Sequence, residues 1–439
     1  MCKFVINLQK LDKKMIINFS VENFGSIKEK QTLSFLANKS DHLEDYYIIE
    51  PIKGLRLNKL ALIYGANASG KTTILKALDF LKEICTDPFD KKTEKFDFEP
   101  FLFDEKTPIQ NTKFELEFVQ NGIRYFYEVE LNKNCIVKEK LYNFNPNKAI
   151  VFERITDEKK ELTSVKFGSK IPKRKTLEDS LEIFTLWNNT VFGGFQKANL
   201  DISILKDIFE WFYYTNSPLF STDAIIKDVI SKNIINNKYF KNNIIKILKK
   251  ADLNITDIII KEKEVSKDNK VSEYNHDDDV ELIHSINDNI ELIHSINNKN
   301  YSLKFGQESE GTKKYYSFSG ILIILISNFS TIVSIDELES SLHPELFQHF
   351  LLTFLVNSKN SQLIATSHYR EILNNRDIFR DDAIWFTDKN EDSATELYSL
   401  ADFDSSVVRD TTNVLNAYKS GKLGGVPNLG DYYIDLENE

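Results

Sequence analysis

The stretch Leu60–Leu78, LALIYGANASGKTTILKAL, constrains the fold of this chain more than any other. Leu60 to Tyr64 is a short apolar run that reads as a buried strand, and Ile74, Leu75, Leu78 and Leu81 recur beyond it at helical spacing. Between them stands Gly65-Ala66-Asn67-Ala68-Ser69-Gly70-Lys71-Thr72-Thr73, which fits the phosphate-loop pattern G-x-x-x-x-G-K-[ST] with the strand before and helix after that the pattern requires. Glycines let the backbone turn tightly enough to aim N–H groups at phosphate oxygens, and the positive end of the following helix adds to the attraction. In such a loop Lys71 reaches the β- and γ-phosphates while the Thr72 hydroxyl ligates Mg²⁺. The motif implies a nucleotide and leaves the purpose of any hydrolysis open.

With 439 residues the chain has room for two or three domains, or for one large nucleotide-binding domain carrying an insertion. The formal net charge of -10, with acidic and basic residues interleaved, argues against a generic polyanion binder and leaves a local basic groove open. Cys2, Cys85 and Cys135 are far apart and form no C-x-x-C, so neither a zinc hook nor a disulfide framework is indicated, which suits a reducing cytosol. The longest apolar run, Ile321 to Ile326, is too short to span a bilayer, and no signal-peptide pattern opens the chain. A cytoplasmic protein without membrane contact is expected. The abundance of Asn, Lys and Ile resembles an AT-rich coding bias, so lysine counts say little about function.

Residues 1–14 carry no clear pattern. Alternation from Met15 to Glu22 predicts a strand, followed by the turn Asn23-Phe24-Gly25-Ser26 and a second strand near Gln31 to Leu36. Asn23 and Phe24 are expected to contact the cofactor, because this opening stands where a nucleotide-base platform would. The loop helix should stop before Pro88. Thr112 to Val119 and Ile123 to Leu131 then alternate about Asn121-Gly122, a type I′ hairpin signal, and Cys135–Phe144 and Lys148–Ile155 extend the pattern. A mostly antiparallel lobe over residues 15–170 follows. Residues 171–260 change to helical period, with helices expected at Leu177–Trp187, Ile202–Tyr214, Ala224–Ile235 and Tyr239–Lys250. The run Trp211-Phe212-Tyr213-Tyr214 has the chemistry to stack bases, though such a run on an amphipathic helix more often serves packing. The basic helix Lys238–Lys250 fits a phosphate contact or, more commonly, a solvated face.

The heptapeptide ELIHSIN occurs twice, at 281–287 and 291–297. Each copy can be a strand, with Asn287-Asp288-Asn289 turning between them, as a hairpin or a duplicated edge strand. His284 and His294 invite a metal, but only the loose run Asp277-Asp278-Asp279 offers further ligands. Residues 261–439 form the third expected unit. There Thr331 to Ile335 reads as an apolar strand ending in Asp336-Glu337, a Walker B element in which Asp336 holds Mg²⁺ and Glu337 polarises the attacking water. Glu308-Ser309-Glu310-Gly311-Thr312 opens a helix, and Ser and Gly are good capping residues in any event. Leu338 to Pro344 follows Walker B, and Gln362–Thr366 reads as a strand running into Ser367-His368. A neutral His368 there can donate near a γ-phosphate.

Taken together, Asn23-Phe24-Gly25-Ser26, the phosphate loop, the Ser309-x-Gly311-Thr312 helix start, Walker B, the D-loop-like Leu338–Pro344 and His368 resemble the ABC-type ATPases related to SMC, RecF and OLD proteins. The closer likeness is to bacterial AAA-family ATP-binding proteins of phage defence and abortive infection, with the OLD, Septu, PARIS and RloC ATPases as relatives. Asp382–Phe386, Leu397–Phe403 and Tyr418–Pro427 look like that family's ending. The resemblance implies an α/β ABC-type head with a mixed sheet, an antiparallel β lobe and an inserted helical lobe. It implies ATP and Mg²⁺ as cofactors, and Ser309 and Gly311 of one chain facing Lys71 and Thr72 of another in a head-to-tail homodimer or higher oligomer. It further implies a sensor or regulator of a separate toxin or nuclease effector, triggered by DNA or another phage product. Alternatives are a DNA-clamping repair ATPase of the RecF kind and a non-hydrolysing nucleotide-gated scaffold. No Q-loop glutamine is evident, Gln110 and Gln120 being candidates, and neither a Toprim acidic cluster nor another nuclease constellation is visible.

Overall fold

A computed structural model describes residues 13–169, 171–172, 174–215, 230, 234, 237–261, 290–327, 330–404, 408 and 413–427. The chain opens with the antiparallel strands β1 (Met15–Glu22) and β2 (Gln31–Ser34). The short helix α1 (Glu44–Tyr47) and the hairpin of β3 (Ile48–Ile52) and β4 (Leu55–Asn58) lead to β5 (Leu60–Gly65), buried throughout, and to α2 (Lys71–Thr86). Next come β6 (Thr112–Gln120), β7 (Ile123–Leu131), β8 (Ile136–Phe144), β9 (Lys148–Asp157) and β10 (Leu162–Phe167). With β1 and β2 they form one antiparallel sheet in the order β10-β9-β8-β7-β6-β1-β2. Its central hairpin turns at Asn121 and Gly122, with φ of 52° and 71°, the left-handed pair that a type I′ turn demands. Tyr125, Tyr127, Val129 and Leu131 alternate into the core from β7, as the period of two dictates.

Onto that face pack α2 and the helices α3 (Arg174–Phe184), α4 (Val191–Lys197) and α5 (Ser203–Thr215). Trp211 and Phe212 are buried in this core, where the Trp211 indole donates to the Val119 carbonyl at 3.1 Å. The inner half of the aromatic run is thereby committed to packing, while Tyr213 and Tyr214 stay exposed. By contrast, α6 (Lys238–Lys250) buries Phe240, Ile244, Ile247 and Leu248 in a second core and exposes Lys246, Lys249 and Lys250. The helices of residues 171–260 thus divide between two cores, each following its own apolar stripe. Most of the helix expected at Ala224–Ile235, the first ELIHSIN copy with His284, and Asp277–Asp279 lie outside the described residues.

The second core also takes a three-stranded antiparallel sheet of β11 (Ile255–Ile260), β12 (Ile290–Ile296) and β13 (Lys299–Lys304). The second ELIHSIN copy is β12, and it turns into β13 through Asn297 and Asn298, both at positive φ. Then follow α7 (Glu310–Ile326), β14 (Ile332–Ile335), α8 (Pro344–Asn357), β15 (Gln362–Thr366), β16 (Ile384–Lys389), β17 (Thr395–Ser399) and α9 (Val414–Lys419). The central sheet runs β14-β15-β5-β16-β17, parallel except for β17. Both its faces are covered: Ala61, Ile63, Ile332 and Ile364 point into the first core, and Leu60, Leu62, Tyr64, Val333 and Leu363 into the second. Double burial is why these strands read as unbroken apolar runs. The Gln362 amide fastens the antiparallel sheet to the parallel one, accepting from the Ile16 N–H at 2.8 Å and donating to the Ile16 carbonyl at 3.0 Å. The whole is an α/β fold with a mixed central sheet, an antiparallel β lobe and inserted helices.

Candidate nucleotide site

Parallel pairing sets the carboxyl ends of β14, β15 and β5 side by side, the edge at which open α/β sheets take their ligands. Gly65 closes β5, and Ala68 and Gly70 then adopt φ of 61° and 107° before α2 begins at Lys71. A Cβ on Gly70 would come within 2.1 Å of the Thr395 hydroxyl, and one on Gly65 within 2.4 Å of both Ser69 and Thr387 hydroxyls. Both glycines are therefore demanded by space, and Gly70 by its dihedral as well. Asn67 and Ala68 are exposed at the tip, whereas Ser69 is buried. Lys71 folds back and donates to the Gly65 and Ala66 carbonyls, each at 3.0 Å. Burial pushes its pKa down, opposed by Asp336, Glu339 and Glu337.

Asp336 lies just past β14 and is gripped from two sides. Thr72 Oγ1 donates to its Oδ2 at 2.8 Å, and Thr366 Oγ1 donates to its Oδ1 at 2.5 Å. Thr366 in turn accepts the Glu337 backbone N–H at 2.8 Å, and Glu337 sits at φ 51° with its residue exposed. One threonine at the end of β15 thus orients both acidic residues. Thr72 and Asp336 offer Mg²⁺ the hard oxygen donors it prefers, and the pair fits that ion. The His368 backbone N–H donates to Glu339, tying the segment after β15 to the loop after β14. Burial first, then the Lys71 ammonium, hold His368 below its usual 6.5, opposed by Glu339, Glu337 and Asp336, which favours the neutral imidazole.

Asn23 and Phe24 face inward. The Asn23 side chain donates to the Thr107 and Gln110 carbonyls and accepts from the Phe101 N–H, all at 2.9 Å, while the Phe24 ring packs among Phe80, Phe98 and Phe114. The residue of this turn that reaches the loop is Ser26, whose hydroxyl bonds Thr73 at 3.1 Å and Thr395 at 2.8 Å. The sequence places Ser26 only in the Asn23-Phe24-Gly25-Ser26 turn and gives no sign of Thr387 or Thr395. Yet Thr395 Oγ1 donates to the Ser69 carbonyl at 2.9 Å, and Thr387 and Ser69 hydroxyls meet at 2.6 Å. From the chain's far end Gly425 also arrives: its N–H donates to Asp388 at 2.8 Å, its carbonyl accepts from the Tyr418 hydroxyl at 2.8 Å, and a Cβ there would lie 3.5 Å from Gly65 Cα. Residues more than 300 positions distant give no local signal of this proximity. Gln110 serves the Asn23 turn through its carbonyl, and Gln120 is buried at the end of β6.

Ser309 caps α7, its hydroxyl accepting from the Thr312 N–H at 3.1 Å, and both Ser309 and the tip of this helix are open to solvent. Gly311 lies against Ser341 of the loop after Walker B: a Cβ at Gly311 would be 3.4 Å from the Ser341 carbonyl oxygen. Within the chain, then, Lys71, Thr72, Asp336, Glu337 and His368 gather at one edge, and Ser309, Gly311 and Ser341 form a second group. Among the described residues no three His, Cys, Asp or Glu side chains cluster as a metal site, and no helix is long and apolar enough to cross a membrane.

Among solved structures, the SMC head domain from Thermotoga maritima matches over 88% of this chain and 98% of its own, at 14% identity and a TM-score of 0.39. An SMC head bound to the C-winged helix domain of ScpA matches over 88% and 97%, at 14% identity and 0.42. An SMC head with an extended coiled coil bound to the C-terminal domain of ScpA, derived from Pyrococcus furiosus, matches over 88% and 96%, at 11% identity and 0.43. No curated protein matches the chain. Across residues 60–187 and 197–374, which hold Gly65–Thr73, Ser309, Gly311, Asp336, Glu337 and His368, the chain belongs to the family described as "AAA domain, putative AbiEii toxin, Type IV TA system".

Proposed function

We propose that this protein is an ATP-hydrolysing molecular switch that regulates a separate effector in an anti-phage defence system. The observation that carries the hydrolytic half is the Asp336 carboxylate shared between Thr72 of the phosphate loop and Thr366, with the Glu337 backbone hung on the same Thr366 hydroxyl. When bound, Mg²⁺ neutralises charge on the transferring phosphoryl group. Thr72 and Asp336 hold that ion, Lys71 leaves the Gly65 and Ala66 carbonyls for the phosphates, and Glu337 takes a proton from the attacking water. Neutral His368 donates a hydrogen bond toward the γ-phosphate end.

The composite arrangement is supported by Gly311, which neither a positive φ nor a crowded neighbour among the described residues requires. A glycine without an intrachain reason suits close approach by something outside the chain, here the nucleotide held by a second copy. Ser309 and the positive end of α7 then supply an anion site across that interface. Closure on ATP and opening after hydrolysis make the output a conformational change. The defence role draws on the family, whose description names an abortive-infection toxin.

Purified protein tests the chemistry. Glu337→Gln should lower phosphate release by about 100-fold or more while ATP affinity stays within about twofold, since a base acts on the rate and the loop on binding. Turnover unchanged by Glu337→Gln would reject the mechanism. Hydrolysis that requires DNA, with binding falling steeply as salt rises, would favour a DNA clamp over an effector regulator.

A further inference from the structure

The residue just before Ser309 is held from an unexpected direction. Glu308 is a carboxylate with a side chain only 6% exposed, and its Oε1 lies 2.7 Å from His294 Nε2. His294 belongs to β12, the middle strand of the small antiparallel sheet, paired with Ile255 on β11 and Tyr301 on β13. The next strand, β13, ends at Lys304, and a single 3-10 turn, Phe305–Gln307, joins it to Glu308. That turn is anchored at its start by Phe305, buried against Tyr316 with ring centroids 5.1 Å apart. Between the anchors Gly306 and Gln307 are exposed. The approach to Ser309 is therefore pinned at two points, one an apolar contact and one a hydrogen bond.

From this geometry we infer that His294 is a positioning residue for Ser309. The inference rests on the reading of Ser309 as the group that meets nucleotide across a dimer interface. A buried carboxylate deprived of its partner is strongly unfavourable, and the nearest relief is rotation into water. Glu308 closes the 3-10 turn and shares its peptide with Ser309, the cap of α7, so the bond from His294 holds the residue next to that cap. The three-stranded sheet thus sets the pose of the helix start, and displacement of β12 is transmitted to the nucleotide through one hydrogen bond.

Three variants separate positioning from general damage. His294→Ala should lower ATP turnover about 10- to 100-fold, the scale expected when a reacting group is misplaced by about 1 Å. ATP affinity, read with a fluorescent ATP analogue, should stay within about twofold, because the Lys71 loop lies elsewhere in the chain. His294→Gln, which keeps a donor, should stay within about threefold of normal turnover, and His294→Ala combined with Glu308→Gln should recover most of the loss by removing the buried charge. Wild-type turnover in His294→Ala, or loss of affinity and turnover together without recovery in the double variant, would overturn the inference. Ser309→Ala is the control on the underlying reading. If it is inactive while His294→Ala is active, only the positioning role fails; if it is fully active, the reading of Ser309 fails as well.

Discussion

Two helix starts serve the proposed chemistry, and they are held in opposite ways. The start of α2 is walled in by groups from four distant segments: Ser26, Thr387, Thr395 and Gly425. The start of α7 is open to solvent, supported from behind by the Glu308–His294 bond and flanked by Ser341. A cradle for phosphates gains by being fixed before the ligand arrives, since hydrogen-bond donors already aimed need no reorganisation. A surface that meets another molecule gains by being bare. Glycine serves both ends for different reasons: Gly70 because its own chain leaves neither dihedral freedom nor room, Gly311 although its own chain leaves room.

Replacing each glycine by alanine probes that contrast. Gly70→Ala should be the most damaging, because its Cβ would overlap Thr395 at 2.1 Å from a φ of 107°. Overpacking plus backbone strain of about 3 kcal/mol implies ATP affinity weakened about 100-fold or more, measurable by calorimetric titration. Gly425→Ala meets softer contacts at 3.2–3.5 Å but carries a φ of 66°. Strain of about 1–2 kcal/mol, passed through Gly65, should weaken ATP about tenfold, and unchanged affinity would detach the C-terminal segment from the site. Gly311→Ala should leave thermal stability and ATP affinity within about twofold, an exposed helix start tolerating alanine well. Its expected loss lies in turnover and in the ATP-dependent shift to dimer seen by light scattering. If that variant instead lost ATP affinity as Gly70→Ala does, the distinction between the two helix starts would collapse.

Much of the site is legible without coordinates because its parts are local. A phosphate loop needs its strand, glycines and helix within twenty residues, and the Walker B strand announces itself by an apolar run ending in acids. The hairpin at Asn121-Gly122 is similarly dictated by two adjacent residues. Asn23 and Phe24 show where such reading stops. Their sequence places them before the loop as a base platform, yet the asparagine's amide is spent on three backbone groups and the phenylalanine is one of a buried aromatic cluster. Burial depends on what the rest of the chain brings alongside, and no turn motif encodes it.

By itself, then, the sequence located the proposed phosphate loop and the acids proposed to act beside it, because backbone geometry and side-chain chemistry at those positions are fixed within a few residues. The strand order β14-β15-β5-β16-β17 was decided only by folding. That order puts Thr366 between the two acids and the loop, lays Thr387 and Thr395 against Ser69, and returns Gly425 to Gly65. The bond from His294 to Glu308 likewise exists because β12, Phe305 and α7 share one core. Long-range parallel pairing joins residues that have no local propensity to meet, so their roles become visible only in the tertiary structure.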